Sequence, residues 1–317
     1  MEACSSQAKF NVTSYRAVSV VILSLQAFAG LWINAFIFSV LVIALLKKKC
    51  LNSNEKILLF LGCSRFLYLF FVWLHYFTSV FYPWVFAVQH ISPLSNAIQT
   101  FLLFTNLWVS CCLSVFYCIK IANIQHSFFT FLKAKIDQMV PWMLMGSVLL
   151  SLIISMFAYK IAREAPCNYH NGTSLEKFWK QGFNVDTYFF PLFFLSGFGF
   201  ATTFLAVIFS ALLLLFSLWR HKRRMQENSV RNVSVDAHIK AIKSILSFFF
   251  LYSINFTALV LSLVYTTKKY NTTWLLLVIF LNAFPVVHSL VLIFSNPNLK
   301  KTLLRSVLWL KCKVSSG

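Results

Sequence analysis

Acidic residues are scarce in this chain: Asp and Glu number 8 in 317 residues, and none lies inside an apolar run. A membrane site without a carboxylate lacks the usual counter-ion for an ammonium ligand and the usual carrier of a proton relay, which argues against coupled transport. Paired catalytic carboxylates, an HExxH helix, a Gly-x-Ser-x-Gly elbow and a Gly-rich phosphate loop are also missing, so an enzyme is not expected. His75 and His288 are the in-span histidines, and a lone membrane histidine is more often a hydrogen-bonded packing residue than a catalyst. The 8 cysteines show neither metal spacing nor a disulfide framework, and no cofactor or metal is expected. Only Cys4 and Cys167 would face an oxidising compartment, and whether they pair is open. The first 16 residues lack a basic n-region, a short apolar core and a small-residue cleavage site, so they do not read as a removable signal peptide. No internal repeat is evident.

What the chain has in abundance is apolar surface. Hydrophobic residues make up 59%, aromatics 18% and charged residues 11%, with a mean hydropathy of +0.74, too apolar for a soluble domain. Apolar runs at 17–46, 57–83, 95–119, 139–159, 188–218, 245–266 and 274–294 predict seven spans. Each reads as a helix, because an unclosed strand cannot satisfy its backbone in lipid. The expectation is an all-α membrane protein, a seven-transmembrane helix bundle forming a single domain across 1–317. Its N-terminal segment is 1–16, its longest outer loop 160–187, its most basic link 220–243 and its tail 295–317.

Lys and Arg on alternate sides of these spans number 19 and 8, with Arg65 inside a span. The positive-inside bias places the tail in the cytoplasm and the N-terminus outside, and the surplus charge faces anionic lipid and acidic partner surfaces. The sequons at Asn11, Asn171 and Asn271 then fall outside, whereas Asn232 falls inside and Asn255 within the sixth span. Asn171, in the longest outer loop, is the best candidate for glycosylation.

The stretch Asn106 to Asn123 organises the rest. Lys120 marks a membrane surface, so Trp108 lies about 18 Å deeper, past the middle of a core roughly 30 Å thick. At 100° per residue Phe101, Phe104, Thr105, Trp108, Cys112 and Val115 share one face, an aromatic and weakly polar stripe. It suits a pocket lining, and it suits helix packing equally well. Arg65 lies about 13 Å from Lys56 along its helix, where an unpaired cation is costly. Asn34 on the first span and Asn282, His288 and Ser289 on the seventh lie at comparable depth and form a candidate polar network with it. A conformational latch and a static network both fit.

Several motifs carry a resemblance. Trp108 followed by Leu113-Ser-Val-Phe-Tyr117 and Lys120-Ile-Ala-Asn123, Leu61 to Arg65 with Leu67, Phe216-Ser-Leu-Trp-Arg-His221, His238-Ile-Lys-Ala-Ile-Lys243 through Ser247-Phe248, and His288-Ser289 through Asn296-Pro-Asn-Leu-Lys300 together span nearly the whole chain. The chain resembles the vertebrate type 2 bitter taste receptors, a G-protein-coupled receptor family. Asp-Arg-Tyr, Cys-Trp-x-Pro and Asn-Pro-x-x-Tyr signatures are absent here, as they are in that family.

The resemblance implies a plasma-membrane chemoreceptor for bitter small molecules, signalling through a gustducin-like, Gi-class heterotrimer, and Trp108 matches the family's binding-site tryptophan. Helix faces add Phe104, Thr105, Cys112 and Asn255 as expected ligand contacts. Tyr117, Lys120, His221, His238 and Lys243 are the expected contacts for the G protein. A seven-helix transporter or channel is the competing reading, against which the missing in-span acids and the basic inner face both weigh.

Overall fold

The computed structural model describes residues 2–88, 90–122, 124, 126–164, 189–227, 246–247, 249–262 and 272–315. For 2–17, 189–193, 221–222, 224–227, 272–274, 309–315 and some single positions the backbone alone is described. The described residues form helices α1 (Glu2–Lys48), α2 (Ser53–Phe81), α3 (Ile91–Ile121), α4 (Ser127–Glu164), α5 (Phe189–Glu227), α6 (Phe249–Ser262), α7 (Thr272–Ser295) and α8 (Pro297–Ser315). One 3-10 turn, Pro83–Ala87, follows α2. No strand occurs among the described residues. Six of these helices are long and apolar enough to cross a membrane, and α6 is apolar but shorter over its described length.

Local chemistry explains where the helices stop. Lys49 takes φ 58°, the left-handed conformation that closes a helix, and its N–H donates to Leu45 O at 2.8 Å. Glu55 then reaches back to accept from the Asn52 N–H at 3.0 Å, satisfying a donor at the start of α2. Pro83 cannot continue α2, and the chain turns there. The basic tail carries helix α8. Asn296 Oδ1 accepts from the N–H groups of Asn298 and Leu299 at 3.0 and 3.3 Å, with Pro297 at the first helical position.

α3 is the centre of the bundle. Of its apolar window 67% is buried, against 22% for α1, and it packs on α2, α4 and α5. Large apolar side chains face outward elsewhere, among them Trp32 (79% exposed) and Trp142 (71%), a distribution that suits lipid as the surrounding solvent. Two apolar cores stack along α3. At the Lys120 end, Ile37, Leu58, Leu113, Ile136, Ile293 and Leu299 join α1, α2, α3, α4, α7 and α8. Towards the far end, Phe104, Leu107, Ile154, Phe200, Tyr252 and Phe284 join α3 to α4, α5, α6 and α7. Lipid offers no hydrophobic drive for helix association, so close packing and interhelical hydrogen bonds must hold these contacts.

Candidate functional site

Between the two cores sits Arg65, 0% exposed. Its guanidinium donates through Nε to Asn106 Oδ1 at 3.1 Å, through Nη1 to Ser289 Oγ at 2.8 Å, and through Nη2 to Ser110 Oγ at 3.1 Å and to His288 Nδ1. A guanidinium has no acceptor, so Nδ1 of His288 must accept, which selects the imidazole tautomer protonated at Nε2. Ser289 Oγ donates in turn to Asn34 Oδ1 at 2.8 Å, and Asn34 Nδ2 donates to Gly30 O at 2.8 Å. One side chain on α2 thereby ties α1, α3 and α7.

Of the residues read from the sequence, His288 and Ser289 meet Arg65 directly and Asn34 meets it only through Ser289; Asn106 and Ser110 on α3 are partners that the sequence reading does not name. Depth was the available signal: Ser110 lies ten residues, about 15 Å, from Lys120, close to the depth of Arg65. Asn282 is buried on α7.

The stripe on α3 divides among its neighbours. Phe104, 1% exposed, stacks on Phe200 of α5 with centroids 5.0 Å apart and planes at 7°. A Cβ at Gly199 would lie 2.7 Å from the Phe104 ring, so glycine is what lets α5 come this close. Phe204 stacks on Phe256 of α6 at 4.0 Å, and Tyr252 of α6 donates to Leu107 O at 3.3 Å while meeting Phe284 edge-on. Trp108 packs against this aromatic cluster, and Asn255 is buried on α6. Phe101 instead packs beside Tyr68 and Leu69, and Cys112 turns to α4, where its Sγ lies 3.3 Å from Ser147 Oγ.

Two polar atoms in the stripe carry a specific signal: Thr105 Oγ1 and Trp108 Nε1 are buried and make no hydrogen bond among the described residues. Orphaned donors in a low-dielectric interior are costly and ask for a partner.

At the opposite end of α3, Tyr117 packs against the core at the Lys120 end and Lys120 Nζ lies 2.6 Å from Asp137 Oδ2 of α4, with both side chains about half exposed. His221 lies within the last turns of α5, its side chain not described. Asn171, His238, Lys243 and Cys167 lie outside the described residues, and the side chain of Cys4 is likewise not described. Among the described residues no group of three His, Cys, Asp or Glu side chains converges on a metal position.

Comparison with known proteins places this architecture. The family model described as taste receptor protein (TAS2R) matches residues 12–311. Taste receptor type 2 member 40 of Gallus gallus is 32% identical over 296 residues, covering 93% of this chain and 95% of the relative. Human taste receptor type 2 member 9 is 30% identical over 313 residues (95% and 96%), and human member 2 is 29% identical over 301 (93% and 97%). With the match running nearly end to end through a bundle of apolar helices, the chain belongs to the type 2 taste receptors, a family of membrane receptors and not of enzymes.

Proposed function

We propose that this chain is a plasma-membrane receptor for bitter small molecules: one seven-span domain, N-terminus outside and α8 in the cytoplasm, signalling through a gustducin-like, Gi-class heterotrimer. Agonists sit in the outer half of the bundle against Trp108, with Phe104, Thr105 and Asn255 around them. The observation that carries this placement is the pair of buried, unpartnered polar atoms, Thr105 Oγ1 and Trp108 Nε1, one helical turn apart beside the stacked aromatics of α5 and α6. An incoming ligand supplies the missing hydrogen-bond partners and stacks on the rings, and without a carboxylate in any apolar run the site accepts chemically varied, weakly polar molecules. Cys112, one helical turn from Trp108 on α3, is engaged with Ser147 of α4.

Trp108→Ala tests the site. It should raise the half-maximal agonist concentration about tenfold or more, the loss expected for one aromatic contact plus one hydrogen bond, at unchanged surface level. Unchanged potency across several agonists would reduce Trp108 to a packing residue. Calcium release through a chimeric G protein, measured beside substrate flux, separates a receptor from a transporter or channel.

A further inference from the structure

The two faces of α8 have different work to do. Leu299 and Leu303 point the same way at helical spacing. Leu299 is 1% exposed in the inner core and Leu303 packs against that core, so this face is used by the protein itself. Leu304 and Leu308 stand one turn apart on another face and are 52% and 60% exposed, and Phe294 at the end of α7 is 54% exposed beside them. Between α7 and α8 these three line an open groove of about 300 Å³ together with Lys300, Lys301 and Arg305. All three cations are exposed, none makes an ion pair among the described residues, and residues 295–317 contain no acid. An apolar floor rimmed by unpaired cations is poorly solvated by water and equally poorly by hydrocarbon alone. It is complementary to a molecule that is apolar along one part and anionic at its end.

We propose that this groove binds an anionic phospholipid of the inner leaflet, its headgroup against Lys300, Lys301 and Arg305 and an acyl chain along Phe294, Leu304 and Leu308. At about 300 Å³ the open groove has room for a headgroup or a short length of one chain. The lipid closes the apolar face, neutralises the rim and pins the junction of α7 and α8, about two turns along α7 from His288 and Ser289, which bond Arg65. The inference goes beyond the ligand reading above and rests on it only for the cytoplasmic placement of α8.

The test uses the full chain in phosphatidylcholine nanodiscs doped with a trace of photoactivatable phosphatidylserine or, separately, photoactivatable phosphatidylcholine, with cross-linked peptides mapped by mass spectrometry. The serine lipid should label residues 294–308 about fivefold more than the choline lipid, given the attraction each basic residue exerts on anionic lipid. Lys300→Gln with Lys301→Gln should abolish that preference, whereas Lys311→Gln with Lys313→Gln, an equal loss of charge on the same helix, should leave it. Leu304→Ser with Leu308→Ser should lower labelling by both lipids. Equal labelling by the two lipids, or an equal loss in both charge-neutralised pairs, would overturn the site and leave a diffuse basic surface. Cross-links dominated by a second copy of the chain would overturn it in favour of a protein interface. Thermal melting of each variant checks folding, and a tail epitope stained with and without permeabilisation checks the placement of α8 separately from the groove.

Discussion

A guanidinium presents five N–H groups in a rigid plane, and burial is tolerable only when acceptors sit around that plane. Arg65 meets this need with neutral oxygens and one imidazole nitrogen from α3 and α7, with no acid among these partners. Lysine carries the same charge but not the fork, and cannot reach Asn106, Ser110 and Ser289 at once. Arg65→Lys should therefore lower stability by about 2 kcal/mol or more, whereas Ser110→Ala, removing one acceptor, should cost about 0.6 kcal/mol, as single interhelical bonds in membranes do. Thermal melting of the purified receptor reads both. A lysine variant that melts with the wild type would mean that charge alone is required. That Arg65 must be partnered was legible from its depth in an apolar run; that α3 supplies two of the partners was not, because sequence spacing does not say which helices adjoin.

At the scale of the helices, the approach of α5 to α3 rests on one missing side chain. The Cβ of Gly199→Ala would intrude to 2.7 Å from the Phe104 ring, which is buried and stacked on Phe200 and has little room to yield. We expect Gly199→Ala to destabilise by about 1–3 kcal/mol, the usual cost of overpacking. Phe104→Leu should recover part of that loss in the double variant, so the two effects should be non-additive in a double-mutant cycle. Strict additivity would place the cost elsewhere. The α3 stripe was legible as a face but not as its division between α2, α4 and α5. Six residues sharing a 100° arc do not share a neighbour when the helix bearing them is surrounded, and Cys112 consequently lies on Ser147 rather than beside Trp108's aromatic partners. The structured tail escaped notice for a related reason: Asn296-Pro297 is a cap only if a helix follows, and Leu299 favours that helix only because the inner core receives it.

For the whole molecule, the proposed orientation makes Asn171 extracellular and α8 cytoplasmic, motivated by 19 basic residues on one side against 8 on the other. Glycosidase should shift the wild-type band and shift Asn171→Gln less; a tail epitope that stains without permeabilisation contradicts the topology. The proposed G-protein contacts, Lys120 at the end of α3, His221 in the last turns of α5 and Lys243 ahead of the sixth apolar run, are tested together. Joint neutralisation of Lys120, His221 and Lys243 should reduce agonist-evoked nucleotide exchange at unchanged surface level, and the same change at Arg223 and Arg231 should do so less. Equal loss in both sets would assign the effect to a diffuse basic surface. Lys120 is available for such a partner because its contact with Asp137 is exposed, and exposed ion pairs hold only about 0–1 kcal/mol.

By itself the amino-acid sequence determined the membrane class, the helical state of the apolar runs, the absence of in-run acids and the family resemblance. All of these follow from composition, from backbone hydrogen bonding in lipid and from short local motifs. Tertiary structure alone decided which polar groups meet around Arg65, which face of α3 meets α5 and α6, and which polar atoms of Thr105 and Trp108 have no partner among the described residues. It also decided that α8 lays one leucine row on the core and leaves another beside its cations. These are relations between helices, and in a chain whose spans are apolar nearly all round, hydrophobicity does not discriminate one helix neighbour from another.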